Sequence, residues 1–449
     1  MKAASYSAKR VPVHRGKAAW KELLPYRAPN APLDTDLSAD FVVVGGGFAG
    51  LAACRRLIEL EPQSKVVLLE AGEIGAAASG RNSGFMIDLP HELTSENYAG
   101  EETSKDRDLI ELNRQAIQFA DAAVEEYGID PNFFDPAGKI NGAATEKSKN
   151  ANLSYADHLR SLNESYECLD QQQMKDITGS DYYISGLYTP GTVMLQPAGF
   201  VCGLADGLSR HLKLYENSPV VEMTQDGSGW CVKTARGSVK TERIIMACNG
   251  HLESFGFKRG RLMHVFLFAA MTRELTVDEV RSLGGRSRWG ITPSDPMGTT
   301  VRRIDTGHGG NRIALRNCAE FRPNMQASQR KMAHAQEVLQ RKFDDRFPNL
   351  AGIQMEFSWA GQLCLSQNSV SVTGEIEQGI FAACCQNGLG TTRGTLTGIA
   401  AAELACGQSS VISDYFARDE EPKRLPPRPF STWGANTYLR WKEFQAREE

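Results

Sequence analysis

The chain has 449 residues, of which 41% are hydrophobic and 23% are charged, and this composition excludes a disordered or fibrous protein. The formal net charge of −4 provides no general basic field, so we expect neither nucleic acid nor anionic lipid as a partner. No apolar run approaches the ~20 residues of a membrane-spanning helix, so we expect a soluble protein with no membrane partner.

Ten cysteines are scattered along the chain without a C-x-x-C pair. Scattered thiols favour a reducing compartment, and we predict a cytoplasmic location. Residues 1–35 are locally basic and lack the apolar core of a secretory signal. We interpret them as a solvated N-terminal arm that packs across the first domain, with an organellar targeting peptide as the alternative.

The segment that follows the arm has the pattern of a dinucleotide-binding βαβ unit. The run Phe41–Val44 predicts a buried parallel strand, and the motif G-x-G-x-x-G at 45–50 follows it before a helical pattern. A second strand, 65–69, ends at Glu70, where an acid can accept a hydrogen bond from a ribose hydroxyl. This segment alone does not distinguish NAD from FAD. Its candidate cofactor-binding residues are Gly45, Gly47, Phe48, Ala49, Gly50, Glu70 and Ala71.

A loop of small residues, Gly75–Met86, comes next, where a nicotinamide dehydrogenase would normally continue with another βα unit. Such a loop can run close to a flat ring system and present backbone N–H groups to it, which favours FAD. The alternative is a flexible glycine loop with a solvated Arg81. The candidate cofactor-binding residues of the loop are Ser79, Gly80, Arg81, Asn82 and Ser83.

The middle of the chain mixes helical and strand patterns. An apolar stripe at Thr103–Tyr127 predicts a helix that packs on one face. A turn at Pro197-x-Gly199 precedes another predicted helix, and Asn249-Gly250 ends a predicted strand. Alternation and β-branched runs predict strands at 218–223, 229–234, 240–247, 262–272 and 312–316, and a helix at 324–343.

Near the C-terminus, a buried strand is predicted at 380–385, and Gly388, Gly390, Gly394 and Gly398 then precede a helix predicted at Ile399–Ala405. A helix N-terminus at this point suits the negative charge of a reduced flavin, although a tight helix–sheet contact is the alternative. Beyond a proline-rich stretch, a short helix is predicted at Tyr438–Arg447. The candidate cofactor-binding residues are Gly388, Leu389, Gly390 and Thr391.

These motifs together resemble the D-amino-acid-oxidase-type family of FAD-dependent amine oxidoreductases, and most closely its γ-glutamylputrescine-oxidase-like branch. The resemblance covers Ala39 to Gly407, and Ser83 departs from it, because that branch commonly has glycine there. The residues that carry it are Ala78–Gly84, Tyr127–Asp130, Gly138–Ile140, Arg346–Pro348 and Trp359–Gly361.

The resemblance implies an α/β fold (α and β mixed), in which a discontinuous Rossmann-like FAD-binding domain is joined to an antiparallel-sheet substrate domain. It places the adenine beside the backbone of Val220 and the returning chain at Asn249 and Gly250. The implied boundaries are an arm at 1–35, an FAD-binding domain at 36–95, 190–255 and 358–418, a substrate domain at 96–189 and 256–357, and a tail at 419–449.

The sequence does not identify the catalytic residues, because flavin amine oxidation needs few protein side chains. The candidates are Trp359 and Trp289 as aromatic walls, with Phe266 and Phe268, and Arg302 and Arg316 as carboxylate-binding groups. Core aromatic side chains and solvated arginines are the alternatives. We find no cluster of residues spaced for a metal.

Two departures from the family concern the reaction with O2 and the attachment of FAD. No lysine occurs between Lys258 and Lys331, so the lysine that helps O2 react in sarcosine oxidases is missing. The cysteine that tethers FAD in those enzymes aligns with Gly361, and Cys364 is three residues away, so we expect noncovalent FAD.

The sequence therefore predicts FAD-dependent oxidation of a primary or secondary amine, of amino-acid or γ-glutamyl-amine type. A hydride passes to flavin N5, the imine is hydrolysed to an aldehyde or keto product, and O2 reoxidises the flavin. One alternative is an amine dehydrogenase, or a subunit of a multi-protein dehydrogenase, that uses another electron acceptor. A second alternative is a flavin-binding protein without catalytic activity.

Overall fold

A computed structural model describes residues 4–90 and 103–449 of the chain. The described strands are β1 (Ser5–Ser7), β2 (Asp36–Ser38), β3 (Phe41–Val44), β4 (Val66–Leu69), β5 (Phe85–Met86), β6 (Phe134–Asp135), β7 (Lys139–Ala143), β8 (Glu167–Leu169), β9 (Ser185–Thr189), β10 (Val193–Leu195), β11 (Lys213–Tyr215), β12 (Glu222–Asp226), β13 (Gly229–Lys233), β14 (Ser238–Thr241), β15 (Arg243–Met246), β16 (Met263–Thr272), β17 (Trp289–Pro293), β18 (Thr300–Ile304), β19 (Arg312–Phe321), β20 (Met355–Leu365), β21 (Val372–Glu377) and β22 (Ile380–Cys384).

The described helices are α1 (Ala19–Glu22), α2 (Phe48–Leu60), α3 (Thr103–Tyr127), α4 (Glu146–Leu162), α5 (Gln171–Thr178), α6 (Pro197–Leu208), α7 (Val277–Leu283), α8 (Gln329–Arg346), α9 (Thr392–Ala405), α10 (Val411–Ala417) and α11 (Phe430–Gln445). In this part of the chain, no helix is both long enough and apolar enough to cross a membrane. The predicted fold class, an α/β fold in which α and β are mixed, is confirmed.

The parallel sheet has the strand order β11-β4-β3-β15-β22-β21, and only the edge strand β21 runs antiparallel to its neighbour. Its central strands are buried on both faces, which explains the continuous apolar run at β3. One face packs against α2, α6 and α9, and the other packs against the side sheet, β1-β12-β13-β14-β2. The parallel sheet thus gathers strands from distant parts of the chain.

The large sheet has the order β20-β16-β19-β18-β17-β7-β9-β8 and is antiparallel except between β17 and β7. Helix α8 packs on one of its faces. Strand β20 belongs to this sheet and crosses the boundary predicted between 357 and 358. The boundary predicted at 95 and 96 lies outside the described residues, and the division into domains stays a prediction.

Several helices and strands differ from their predicted bounds. Strand β12 begins at Glu222 rather than 218, because residues 215–220 turn past the end of β4, where the Ser218 N–H donates to the Glu70 carbonyl at 2.8 Å. Helix α11 begins eight residues earlier than predicted. A turn is predicted at Pro197-x-Gly199, but Pro197 is the first residue of α6, a position that suits proline.

Helix α9 begins at Thr392 rather than Ile399, so the prediction that Gly394 and Gly398 belong to a loop is wrong. The two glycines face α2. A Cβ on Gly398 would lie 2.1 Å from the Ala49 carbonyl oxygen, and one on Gly394 would lie 3.3 Å from Phe48 Cβ. These glycines therefore allow two helix backbones to approach more closely than side chains permit.

The N-terminal arm packs across the rest of the protein, with many exposed residues and a buried part around Trp20. Strand β1 pairs with β12, and Gly16 forms an antiparallel bridge with Trp359 in β20. Trp20 in α1 is 1% exposed. The arm therefore runs from the side sheet to the large sheet and buries an aromatic side chain there.

Replacing Gly398 with alanine should lower the free energy of unfolding by about 1–3 kcal/mol, because the added Cβ meets backbone that has no room to move. Urea unfolding of the wild type and of the variant measures this change. Gly434→Ala in α11 is the matched control, since no described atom lies within 4 Å of its added Cβ. The control should be neutral or stabilising by up to ~1 kcal/mol, and equal unfolding midpoints for Gly398→Ala and the wild type would contradict the close approach.

Candidate active site

The turn between β3 and α2 leaves an uncapped helix N-terminus. Gly45 has φ of +109°, a conformation that favours glycine. A Cβ on Gly50 would lie 1.8 Å from the Gly45 carbonyl oxygen. Helix α2 has no side-chain cap and no acidic residue in its first turn, so its first N–H groups are available to an anion. The G-x-G-x-x-G motif thus has the geometry that its spacing predicts.

Glu70 lies at the carboxyl end of β4 and is held beside this turn. Its carboxylate accepts hydrogen bonds from the Gly46 N–H at 2.7 Å and the Gly72 N–H at 2.9 Å. Burial raises the pKa of the Glu70 carboxyl, and the two N–H groups oppose that rise. Ala71 follows directly, and the segment that leads to the buried Val220 passes the same strand end.

The second glycine loop folds against the first turn. A 3₁₀ turn at Ala78–Gly80 brings the Ser79 side chain to within 3.8 Å of a Cβ built on Gly47. Asn82 closes the loop on itself, because its Nδ2 donates to the Ser79 carbonyl at 2.6 Å and its Oδ1 accepts from the Gly84 N–H at 2.7 Å. The carbonyls and amides of this loop are therefore fixed in place.

The third glycine segment joins the same region through two threonines. Thr391 Oγ1 donates to the Phe85 carbonyl at 2.7 Å, and Thr392 Oγ1 donates to the Ile87 carbonyl at 3.1 Å. Helix α9 has no side-chain cap, and no described atom lies within 4 Å of a Cβ built on Gly390. Two uncapped helix N-termini and two glycine loops therefore meet in one region of the fold.

Asn249 and Gly250 lie at the carboxyl end of β15, next to the first turn. Asn249 has φ of +49°, and its Oδ1 is buried without a hydrogen-bond partner among the described residues. A Cβ on Gly250 would lie 2.7 Å from His264 Nδ1. A buried acceptor without a donor costs free energy, which indicates that a ligand can supply the donor.

Arg81 is not solvated. Its Nε donates to the Ala76 carbonyl at 2.7 Å, and its Nη1 donates to the carbonyls of Arg15 at 3.1 Å and Ala360 at 3.2 Å. Burial lowers the pKa of the guanidinium to about 10. The indole of Trp359 donates in turn to the Arg81 carbonyl at 3.0 Å. Arg81 therefore links the second glycine loop to the N-terminal arm and to β20.

A small cavity lies between the second glycine loop and the large sheet, and it brings five of the predicted site residues together. These are Asn82, Ser83, Arg302, Arg316 and Trp359. Arg316 Nη2 donates to Thr300 Oγ1 at 2.7 Å. Arg302 is 2% exposed and donates to the carbonyls of Leu195 at 2.6 Å and Ser83 at 3.1 Å. Burial lowers the pKa of Arg302 to about 9.

Trp289, Phe266 and Phe268 do not line this cavity. Trp289 packs in the core of the large sheet with its ring centroid 6.4 Å from that of Phe347. Phe266 and Phe268 are buried in the cluster that includes residues of α8. Alternate side chains of a strand point to opposite faces, and on β16 it is Ala269 that reaches the cavity. The two phenylalanines of β16 that are predicted as aromatic walls therefore lie on the face opposite this cavity.

Sequence reasoning missed Trp20, Ala269, Thr300, Ala314 and Leu315, which also line the cavity. Trp20 comes from the N-terminal arm, and its ring centroid lies 5.1 Å from the Arg302 guanidinium carbon. Gln196 Nε2 fixes it by donating to the Trp20 carbonyl at 2.6 Å. The available signal was the short apolar group Ala18-Ala19-Trp20 within an otherwise basic arm.

Within residues 4–90 and 103–449, no group of three or more His, Cys, Asp or Glu side chains is placed to hold a metal ion. The residues that line the cavity include no lysine and no acidic side chain. The charged groups of the cavity wall in this part of the chain are therefore guanidinium groups.

Comparison with known proteins agrees with this geometry. The family described as FAD dependent oxidoreductase, DAO, matches residues 40–404. A probable oxidoreductase, OrdL, of Haemophilus influenzae is 25% identical over 86% of each chain. The γ-glutamylputrescine oxidoreductase of Escherichia coli is 25% identical over 90% of each chain. The crystal structure of glycine oxidase from Geobacillus kaustophilus superposes with a TM-score of 0.66 at 19% identity, over 84% of this chain and 96% of that one.

Replacing Arg81 with alanine should loosen the N-terminal arm, because the carbonyls of Ala76, Arg15 and Ala360 each lose a hydrogen bond from the guanidinium. We expect the free energy of unfolding to fall by about 1–3 kcal/mol, and thermolysin to cleave the arm sooner. Lys17→Ala is the control, since the Lys17 side chain is 79% exposed in the same arm. If Arg81→Ala keeps the wild-type cleavage rate and unfolding midpoint, this guanidinium does not hold the arm.

Proposed function

The chain belongs to the DAO family of FAD-dependent oxidoreductases, and from this premise we propose that it oxidises a primary or secondary amine that carries a carboxylate. The observation that carries the proposal is the cavity beside the second glycine loop, which is lined by Trp20, Trp359 and two guanidinium groups. The named relatives include a γ-glutamylputrescine oxidoreductase, which supports an amine as the substrate.

The residues of the site fit FAD. The uncapped N-terminus of α2, between Gly47 and Ser79, would hold the pyrophosphate, and Glu70 would accept from a ribose hydroxyl. The buried Asn249 Oδ1 lacks a donor that a cofactor hydroxyl can supply. The second uncapped helix, α9, favours negative charge near Gly390. Bound FAD supplies the two-electron acceptor for amine oxidation.

The two arginines of the cavity have different tasks in this proposal. Arg302 Nη1 donates to the carbonyls of Ser83, Gly84 and Leu195, and Nη2 lies 3.4 Å from His308 Nδ1, so we assign Arg302 to positioning the loop and the strand β10. Arg316 is partly buried on β19 and reaches the cavity wall beside Thr300. We assign Arg316 to the substrate carboxylate, because charge-assisted pairs with carboxylates are the strong interactions of guanidinium groups.

The aromatic side chains of the cavity favour the neutral form of the amine. An ammonium group held at the cavity wall that Trp20 and Trp359 line loses water, and desolvation lowers its pKa toward the neutral form. The guanidinium groups of Arg302 and Arg316 oppose a second positive charge in the same cavity. The neutral amine is the form that can lose a hydride from the neighbouring carbon, and water then hydrolyses the imine to a carbonyl product.

The electron acceptor is O2 in this proposal, with a dehydrogenase as the second candidate. The second candidate is favoured by the lack of lysine between Lys258 and Lys331 and by the lack of lysine among the described residues of the cavity wall.

A cytoplasmic location is supported by the ten cysteines, all within the described residues, which are free thiols.

We also propose that FAD is bound without a covalent link. Gly361, whose Cβ position lies 3.1 Å from the Arg81 carbonyl oxygen, offers no sulfur at the family's tether position. Cys364 is 1% exposed, and a hydrogen bond to Cys385 together with burial raises the pKa of its thiol well above the usual value. Acid precipitation should therefore release all the flavin into the supernatant. A yellow pellet, retained in Gly361→Ala and lost in Cys364→Ser, would contradict noncovalent binding.

The activity is tested by anaerobic bleaching of the flavin absorbance near ~450 nm with amine pairs that differ in a carboxylate, such as γ-aminobutyrate and butylamine. We expect bleaching by the carboxylated amines. Arg316→Ala should raise their half-saturating concentration by about 10- to 100-fold, which is the loss of one charge-assisted hydrogen bond. Arg281→Ala on α7, an exposed site, is the matched control and should bind substrate as the wild type does.

The outcomes separate the candidate functions. Reoxidation of the bleached protein on admission of air supports the oxidase. Recovery with an artificial acceptor but not with air supports the dehydrogenase. If an FAD-loaded protein is bleached by none of the amines, the protein has no amine-oxidising activity. Equal half-saturation in Arg316→Ala and the wild type would overturn the assignment of Arg316.

A further inference from the structure

Helix α11 has one face that is docked on the large sheet. Asn436 Oδ1 accepts from the Phe321 N–H at 3.0 Å, and its Nδ2 donates to the Phe321 carbonyl at 3.1 Å. Glu443 accepts from the Ala319 N–H at 2.6 Å and forms an ion pair with Lys331. These contacts satisfy backbone groups of β19 beyond its pairing with β18, so the orientation of the helix is fixed.

The opposite face of α11 is aromatic and exposed. Phe430 and Trp433 are each 68% exposed, Phe444 is 63% exposed and Trp441 is 49% exposed. At 100° per residue these four side chains lie within an arc of about 80°. Tyr438, 52% exposed, lies at its margin. An exposed apolar patch of this kind marks an interaction surface, which we call the aromatic face.

Cationic side chains surround the aromatic face. The Lys442 ammonium lies 5.3 Å from the Trp441 ring centroid, and the Arg447 guanidinium carbon lies 4.5 Å from that of Phe444. Arg428 and Arg440 are exposed nearby. Glu443 is the only acidic residue within Phe430–Gln445, and it points toward the large sheet, while Glu448 beyond the helix lies 3.8 Å from Arg447. The positive charge that borders the aromatic face is therefore that of Arg428, Arg440 and Lys442.

This combination favours an anionic lipid surface over a second copy of the chain. Pairing two aromatic faces would bring the arginines and lysines of one copy close to those of the other, and like charges repel. Tryptophan side chains favour the interface between lipid and water, and cations nearby are attracted to anionic headgroups. The aromatic face carries both features on one rigidly held helix.

We propose that the aromatic face of α11 docks the protein on the surface of a bilayer that contains anionic phospholipid. The helix lies on such a surface with its inner face still bound to β19, so no part of it needs to span the bilayer. The expectation of no membrane partner rested on the net charge and on the lack of a spanning segment. Neither property detects an aromatic and cationic patch on one face of a single helix.

The tryptophans of the chain provide the readout. Trp20, Trp230, Trp289 and Trp359 are each at most 3% exposed, and Trp433 and Trp441 are the exposed ones among the six. The FAD-loaded protein is titrated with vesicles of phosphatidylcholine containing 30% phosphatidylglycerol. We expect a blue shift of tryptophan emission and co-sedimentation, both at least tenfold weaker with phosphatidylcholine alone or in 0.5 M salt.

The variant Trp433→Ser/Trp441→Ser/Phe444→Ser should lose at least tenfold in co-sedimentation while it keeps its FAD and unfolding midpoint. Tyr26→Ser is the matched control, because Tyr26 is 90% exposed outside α11, and it should sediment as the wild type does. Where the triple variant does not fold, Arg428→Gln/Arg440→Gln tests the same surface and should remove the preference for phosphatidylglycerol.

Three results would overturn the proposal. One is a wild-type protein that stays in the supernatant with both kinds of vesicle. Another is binding that neither the triple variant nor the arginine variant weakens. The third is a dimer on size-exclusion chromatography with light scattering that the triple variant abolishes, since a second copy of the chain would then cover the aromatic face.

Discussion

The close approach of two helix backbones determines where the site lies. Helix α2 can begin directly at the end of β3 because Gly50 leaves the Gly45 carbonyl oxygen uncovered, and α9 can cross it because Gly398 leaves the Ala49 carbonyl uncovered. A side chain at either glycine would push these helices apart. Since both helices start without side-chain caps, their contact brings two helix N-termini to one region, and the glycine loops are arranged around them.

Buried cations connect the cavity to the rest of the fold by hydrogen bonds to carbonyls rather than by ion pairs. Arg81 binds carbonyls of three separate segments, and Arg302 binds those of the second glycine loop and β10. Carbonyl oxygens satisfy a guanidinium only in part, and burial accordingly lowers the pKa of both groups. Among the described residues that line the cavity, Arg302 and Arg316 are the charged ones, which favours an anionic group on a ligand.

The parts of this structure that follow from local spacing could be predicted from the sequence. The run at Phe41–Val44, the glycines after it and the helix at Thr103–Tyr127 each depend on neighbouring residues, and the structure has these elements where the pattern predicts them. Trp20 could not be assigned to the cavity, because its partners Arg302 and Gln196 are distant in sequence. The sequence also could not predict on which face of the large sheet Phe268 lies, because both faces of β16 are buried.

The C-terminal tail depends on long-range contacts in the same way, and these contacts connect its two ends to the body of the protein. Lys258 pairs with Glu421 at 2.5 Å before the proline-rich stretch. At the other end, the side chain of Glu449 accepts from the Thr145 N–H at 3.1 Å, and its main-chain oxygen accepts from the Thr299 N–H at 3.0 Å. Thr299 precedes Thr300, which binds Arg316 in the cavity wall. The residue that fixes the end of α11 therefore also holds the strand that positions the proposed carboxylate-binding arginine.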